Sequence, residues 1–388
     1  MKRFDVIVVG GGLIGSAIAF ELASKRVQVA LIDRQQPGRE ASWAAAGMLS
    51  PGPDSLESLP LVPLGKESLR LYPEFVSAIE EESGKTVSYA GEGTFEFFDS
   101  PDESNELLSR YAELGLSAEI ISNESARAVE PELNPDANHI VWLAGEATVD
   151  PRLLIDATIA AAKSRGVEIL AANPVSSVVV ESGRCAGVIV CGQKISADKV
   201  VIAAGSFCGG IGEDGAEEAN PLAHYAPTEP VRGQMMALRS NRVKLKKVLR
   251  SERGYIVPRA GGRIIAGSTL ENAGFCRDTT PAGLRSIFEA AVALAPALAE
   301  AEVVETWAGL RPDTPDHLPI IGPTDITGQL IATGHYRNGI LLAPVTAKLI
   351  CEWITEGRTA FDAERFSPMR FSSTQPLRAS AKVAPGSS

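Results

Sequence analysis

The hydrophobic positions change rhythm along this chain, and each rhythm predicts a different element. Near the start, Val6-Ile7-Val8-Val9 form an unbroken apolar run, the pattern of a strand buried on both faces in a parallel sheet. Gly10-Gly11-Gly12-Leu13-Ile14-Gly15 follow at once, then a helix of small and apolar residues from Ser16 to Ala23. A second apolar run, Val27-Gln28-Val29-Ala30-Leu31-Ile32, ends at Asp33, eighteen residues past Gly15. Strand, G-x-G-x-x-G, helix, strand and acid in that order define a dinucleotide-binding unit. Gly10 permits the tight turn, Gly12 lets the backbone approach a pyrophosphate, and Gly15 lets helix and strand close together. The helix N-terminus offers free N–H groups to that pyrophosphate, and Asp33 stands where the ribose hydroxyls fall.

Further on, helical patterns are predicted near 66–82 and over 103–114, the latter stopped by Gly115. Asp150-Pro151 form an N-cap and first-turn pair opening a helix to about Ser164. The rhythm then shortens to β-branched runs at 167–170, 175–180, 185–190 and 200–204, separated by Gly, Asn and Ser turns. Strands return at 233–238, 255–258 and 263–268, before a helix over 281–294. A last strand at 330–333 runs into Gly334-His335-Tyr336-Arg337-Asn338-Gly339, where Asn338-Gly339 open a helix from 340 to 356 that stops at Gly357. Nucleotide-binding material therefore stands at the start, middle and end, with other material inserted twice. The expected division is 1–84, 145–219 and 306–369 for the nucleotide-binding domain, 85–144 and 220–305 for a substrate domain, and 370–388 as a disordered tail.

Composition narrows this picture. A chain of 388 residues exceeds one ordinary core, and 45% hydrophobic with 22% charged residues is the balance of a soluble globular protein. A formal charge of -11 argues against nucleic acid or an acidic membrane surface as partner. The one basic segment, 242–247, reads as a solvated edge, and the acidic loop 213–218 as solvated. Five scattered cysteines without a C-x-x-C exclude a disulfide framework, a zinc site and a disulfide-reductase motif, and point to a cytoplasmic protein. His139, His224 and His317 show no metal-ligand spacing. The glycine cluster 205–212 opens no second βαβ unit, so a nicotinamide nucleotide has no site of its own.

Four stretches carry a family resemblance: Ala44-Ala45-Ala46-Gly47-Met48-Leu49, Tyr255-Ile256-Val257-Pro258-Arg259, Trp307-Ala308-Gly309-Leu310-Arg311-Pro312, and His335-Tyr336-Arg337-Asn338-Gly339-Ile340-Leu341-Leu342-Ala343-Pro344. Through them the chain resembles, from about 4 to 369, the amino-acid oxidase family that also contains D-amino-acid oxidase and sarcosine oxidase. The two middle stretches point toward its glycine oxidase branch of thiamin thiazole synthesis. The resemblance implies an α/β fold: a Rossmann-like FAD-binding domain with an inserted α+β substrate domain built on an antiparallel sheet. It also implies FAD between the domains, held without a covalent link, because 308–311 lack the cysteine through which sarcosine oxidases attach flavin. By the same resemblance Gly10, Gly12, Leu13, Ile14 and Gly15 hold the pyrophosphate, Asp33 lies at the ribose, and Arg34 is among the cofactor contacts. Ser42, Ala46, Gly47 and Met48 line the flavin, Val175 touches the adenine end, Gly205 joins the cofactor contacts, and His335, Tyr336, Arg337, Asn338, Gly339, Ile340 and Leu341 wrap the pyrimidine edge.

Amine oxidation by a flavin asks the protein chiefly for positioning and a carboxylate anchor. Arg311 is the candidate anchor, since a planar guanidinium grips a carboxylate bidentately, and it is flanked by a polar turn, 312–315. Tyr255 is the second catalytic candidate, with its hydroxyl on the same carboxylate, and Arg337 the third, facing substrate or flavin or tying its own turn. Trp307 is expected to pack under the site. Leu270 stands where related glycine oxidases carry a methionine near the substrate, which leaves the preference among glycine, sarcosine and small D-amino acids open. The expected reaction is oxidative deamination of glycine and related small amines by hydride transfer to flavin, yielding imine and glyoxylate, ammonia and hydrogen peroxide. The alternative is a D-amino-acid dehydrogenase passing electrons to a quinone. The expected partners are a small amino acid and oxygen, with no nucleic acid and no stable membrane association; the resemblance adds a homotetramer and hand-over of the imine to a thiazole synthase.

Overall fold

The computed structural model describes residues 3–53, 55–214 and 222–371. Its first sheet grows around the opening apolar run. The strand Arg3–Val9 lies between Val29–Ile32 and Gln193–Ile202, with Glu168–Leu170 and Gln329–Thr333 outside them, all five parallel. Because both faces are covered, Val6 through Val9 are all buried. One face carries the helices Leu13–Ser24, Val62–Ser83, Pro151–Ser164 and Ala343–Glu356, packed on one another in a single apolar core. The other is covered by the hairpin Val175–Glu181 and Arg184–Val190 and by residues around Cys208 and Leu222.

The second sheet has eight strands and is antiparallel except for one pair. Its order is Glu302–Asp313, Glu229–Arg239, Arg263–Gly267, Gly254–Pro258, Val248–Ser251, Thr94–Phe97, Ile140–Leu143 and Glu119–Ile121. The helix Pro281–Leu294 closes its apolar face. Glu302–Asp313 is an edge strand, where Pro312, lacking an N–H, is tolerated. This strand crosses the expected boundary at 305/306 and pairs with Glu229–Arg239 along its length, so the segment around Arg311 lies in the second sheet and not in a free turn.

Local chemistry sets the helix ends. Asp150 accepts from the N–H groups of Arg152 and Leu153, Ser100 from Glu103, and Thr280 from Gly283. Several expectations change. The last helix begins at Ala343 instead of Ile340, because residues 338–342 form a turn in which Leu342 N–H bonds the Asn338 carbonyl. In the basic segment, Lys247 is buried: its Nζ donates to the Glu92 carbonyl and lies 5.1 Å from the Trp142 ring. In the acidic loop, Glu213 accepts from Gln329 Nε2 at 2.8 Å, while 215–218 lie outside the described residues. Of the expected tail, Arg370 is tied to Asp316, and 372–388 lie outside the described residues.

Candidate active site

A cavity of about 840 Å³ runs between the two sheets, from the glycine fingerprint to Arg311. Its first end is made of backbone. Gly10 adopts φ 104°, and a Cβ there would collide with the Ala203 carbonyl; one on Gly15 would strike the Gly10 carbonyl. Gly12 differs: a Cβ there would meet only Ser42 Oγ, at 3.6 Å, so its open side faces the cavity. Ser42 Oγ accepts the Leu13 N–H at 3.1 Å, and on either side of it Gly12 and Ile14 line the cavity at the helix N-terminus. Asp33 is fixed by the N–H groups of Gly11 (2.7 Å) and Gln35 (2.9 Å), at the mouth where a ribose would lie. Arg34, Val175 and Gly205 line the same end. Arg34 is paired with Glu40 at 2.6 Å and lies 3.4 Å from the centre of the Phe207 ring. These features suit a dinucleotide: a backbone cradle for the pyrophosphate and an oriented carboxylate for the sugar.

The middle of the cavity is a shelf, residues 44–48, held from the second sheet. Trp307 Nε1 donates to the Ala44 carbonyl at 3.0 Å, and Gly309, lacking a Cβ, leaves room for the Ala44 methyl. Arg259 donates to the carbonyls of Ala46 and, at 3.0 Å, Val149; burial pulls its guanidinium down to about 10, with Asp150 opposing. Arg152 stacks 3.5 Å from the centre of the Trp43 ring and pairs through both Nη atoms with Glu305. Ala46, Gly47 and Met48 face the cavity from this shelf, and Ser42 from just before it.

The far end is made of side chains, for which the sheet register clears space. Tyr255, Gly267 and Met235 form one row across three strands, and a Cβ on Gly267 would crowd the Tyr255 hydroxyl and Met235 Sδ. Gly233 likewise leaves room for the Arg311 guanidinium. Arg311 Nη1 donates to the Thr269 carbonyl (3.1 Å) and Nη2 to Ser268 Oγ (2.7 Å). Those bonds occupy two of its five N–H groups, and the Tyr255 hydroxyl interacts with the same guanidinium. Burial lowers the Arg311 pKa, the neighbouring Tyr255 hydroxyl opposes that, and the nearby Arg337 adds to it. A half-buried guanidinium beside a second cation is an environment that a carboxylate relieves.

All three catalytic candidates, Arg311, Tyr255 and Arg337, thus line one cavity, as do Gly10, Gly12, Ile14, Asp33, Arg34, Ser42, Ala46, Gly47, Met48, Val175, Gly205, His335, Tyr336, Gly339 and Ile340. Leu13, Gly15, Asn338 and Leu341 do not form its wall. Leu13 and Leu341 are buried in the core, Gly15 packs helix on strand, and Asn338 makes the turn to Leu342. The helix start expected at Asn338-Gly339 is displaced to Ala343, where Ser68 Oγ accepts the Val345 N–H. The His335 side chain is buried: Nε2 pairs with Thr346 Oγ1 at 3.0 Å, and burial drives the imidazole down to about 3. Leu270 is off the cavity wall and 63% exposed, so it is not a substrate contact in this structure. Ser268, two residues earlier, holds that position, and sequence reasoning passed over it with Met235, Phe207 and Phe275 because none belongs to a motif. Among the described residues no cluster of His, Cys, Asp and Glu could hold a metal ion, and no helix is long and apolar enough to cross a membrane.

Fold and cavity define a two-domain flavin-type oxidoreductase, with a nucleotide cradle in one domain and Arg311 facing the same cavity from the other. The chain belongs to the FAD dependent oxidoreductase (DAO) family, whose model matches residues 5–353, and FAD is the cofactor its cradle fits. It is 34% identical over 367 residues to the glycine oxidase of Pseudomonas putida, covering 94% of this chain and 98% of that one. Against the bifunctional protein ThiO/ThiG of Synechocystis the identity is 35% over 378 residues, 95% of this chain but 54% of that protein. The chain therefore spans about half the length of its bifunctional relatives. The crystal structure of glycine oxidase from Geobacillus kaustophilus superposes with a TM-score of 0.87 at 31% identity, covering 95% of this chain and 99% of that one.

Proposed function

We propose that this protein oxidises glycine and related small amines, among them sarcosine and small D-amino acids. The observation that carries the reading is Arg311, with Tyr255 and Ser268 beside it, in a cavity continuous with the nucleotide cradle. The likeness to glycine oxidases supports it. FAD, when bound, supplies a two-electron acceptor that oxygen reoxidises to give hydrogen peroxide. The protein's own part is geometric. Arg311 takes the substrate carboxylate through its remaining N–H groups, and the Tyr255 hydroxyl takes the same carboxylate from the next strand but two. The substrate α-carbon is thereby turned toward the shelf at 44–48. His335 is not the base: its imidazole is weakly basic and committed to Thr346, so the amine reaches its neutral form by losing a proton to solvent. The imine product hydrolyses to glyoxylate and ammonia, or passes to a thiazole synthase of the kind fused to the ThiO/ThiG relatives.

The test is the visible spectrum of the purified protein under anaerobic conditions. Glycine should bleach the flavin band, and air should restore it with formation of peroxide. Reoxidation by a quinone but not by oxygen would make the protein a dehydrogenase. A flavin that no small amine bleaches would sink the substrate assignment.

A further inference from the structure

Residues 268–280 leave the substrate sheet after the strand Arg263–Gly267 and return at the helix Pro281–Leu294. Both roots of this segment are fastened. Thr269 Oγ1 accepts the Gln234 N–H at 2.9 Å, and Glu271 exchanges backbone bonds with Arg232 while its carboxylate takes Arg232 Nε (2.6 Å) and Gln234 Nε2 (2.9 Å). On the way back, Arg232 Nη1 donates to the Asp278 carbonyl and Thr280 N–H to Gln234 Oε1. Between those roots the segment crosses from the substrate anchor to the other end of the cavity. There Phe275 stacks on Phe207, with centroids 5.1 Å apart and planes at 29°, and the Arg34 guanidinium also lies against the Phe207 ring. Arg277 Nη1 reaches Glu40 Oε2 at 3.0 Å; Glu40 also receives Arg34 and Gln35 from beside Asp33.

Phe275 is 56% exposed and belongs to none of the apolar cores, yet it lines the cavity together with Phe207, Arg34 and Glu40. An aromatic ring in that position contributes little to folding. Its stack has another effect: it bridges two domains across the end where Asp33 and Val175 would receive the adenosine half of a dinucleotide.

We infer that residues 268–280 are a strap, contributed by the substrate domain, that closes the adenosine end of the FAD site, with Phe275 and Arg277 as its latch. FAD exchanges only when the stack on Phe207 and the pair with Glu40 are broken, so the latch sets the rate of cofactor entry and exit.

The experiment follows FAD association with the apoprotein by stopped-flow fluorescence, and FAD release from the holoprotein on dilution. In Phe275→Ala both rates should rise about tenfold, the scale of a lost aromatic pair. Arg277→Ala should raise both about threefold, as befits a half-exposed ion pair, and Arg277→Lys should restore much of that loss. Unchanged association and release in the double Ala variant would overturn the strap. So would faster release that merely tracks a lower thermal midpoint of the apoprotein. In either case stoichiometric FAD on the wild-type protein keeps the cofactor assignment standing.

Discussion

The two ends of the cavity are built from different materials. At the nucleotide end the cradle is chiefly backbone N–H groups and bare glycines, set by two strands, one turn and one helix within the first 33 residues. At the other end they are side chains, Met235, Tyr255 and Arg311 from three strands and Ser268 just past a fourth, brought together from about 80 residues of sequence. Backbone sites fail all at once, because a misplaced Cβ cannot be accommodated. Side-chain sites fail by degrees, because each group contributes a separable part of the binding.

The sharpest test of that contrast is Gly10→Val. A branched side chain at φ 104°, against the Ala203 carbonyl, should raise the Kd for FAD by more than about a hundredfold, read as loss of flavin from the purified protein. Arg311→Lys should leave FAD content and the flavin spectrum intact while KM for glycine rises roughly 10- to 100-fold, the scale of a lost charge-assisted bond. An unchanged KM would remove Arg311 from the substrate role. Ser268→Ala should raise KM about fivefold with kcat nearly constant, since Arg311 then loses one of its two fixing bonds. A fall in kcat alone would show that Ser268 acts elsewhere.

A fourth test uses pH. His335 is pushed down from its ordinary value to about 3, so between about pH 6.5 and 3 the unfolded chain binds a proton that the folded chain does not. Stability from this group is therefore complete above pH 6.5 and is lost as pH falls through that window. His335→Asn, which keeps a partner for Thr346 and does not titrate, should show a shallower loss of thermal midpoint between pH 6.5 and 4. Parallel curves would break the assignment. Last and smallest, Leu270→Met should change KM for glycine less than about twofold, because the side chain points away from the cavity.

This contrast also explains what could be read from the sequence. The cradle was legible because its spacing is local: Gly10, Gly12, Gly15 and Asp33 carry their geometry with them. Arg311 and Tyr255 were legible as residue types in family stretches, but no pattern shows that Gly233 and Gly267 are bare in order to admit them. The strand Glu302–Asp313 escaped notice because Gly309 and Pro312 interrupt its apolar rhythm, and its pairing with Glu229–Arg239 is a long-range fact. Position along the chain does not settle which residue of the strap meets the cavity: Ser268 is on its wall, and Leu270, two residues on, is exposed. Ser268 carries no signal of its own; its role comes from the guanidinium it faces.

The shelf at 44–48 has a consequence for modularity. It belongs by sequence to the nucleotide-binding half, yet Trp307 and Arg259 of the substrate sheet hold two of its carbonyls, and Gly309 sets how closely it can approach. The middle of the cavity is therefore joint property. A graft that exchanges the substrate sheet for that of another oxidase must bring a tryptophan, an arginine and a glycine at these three positions. Without them, the donor specificity arrives on a shelf that no longer holds its shape.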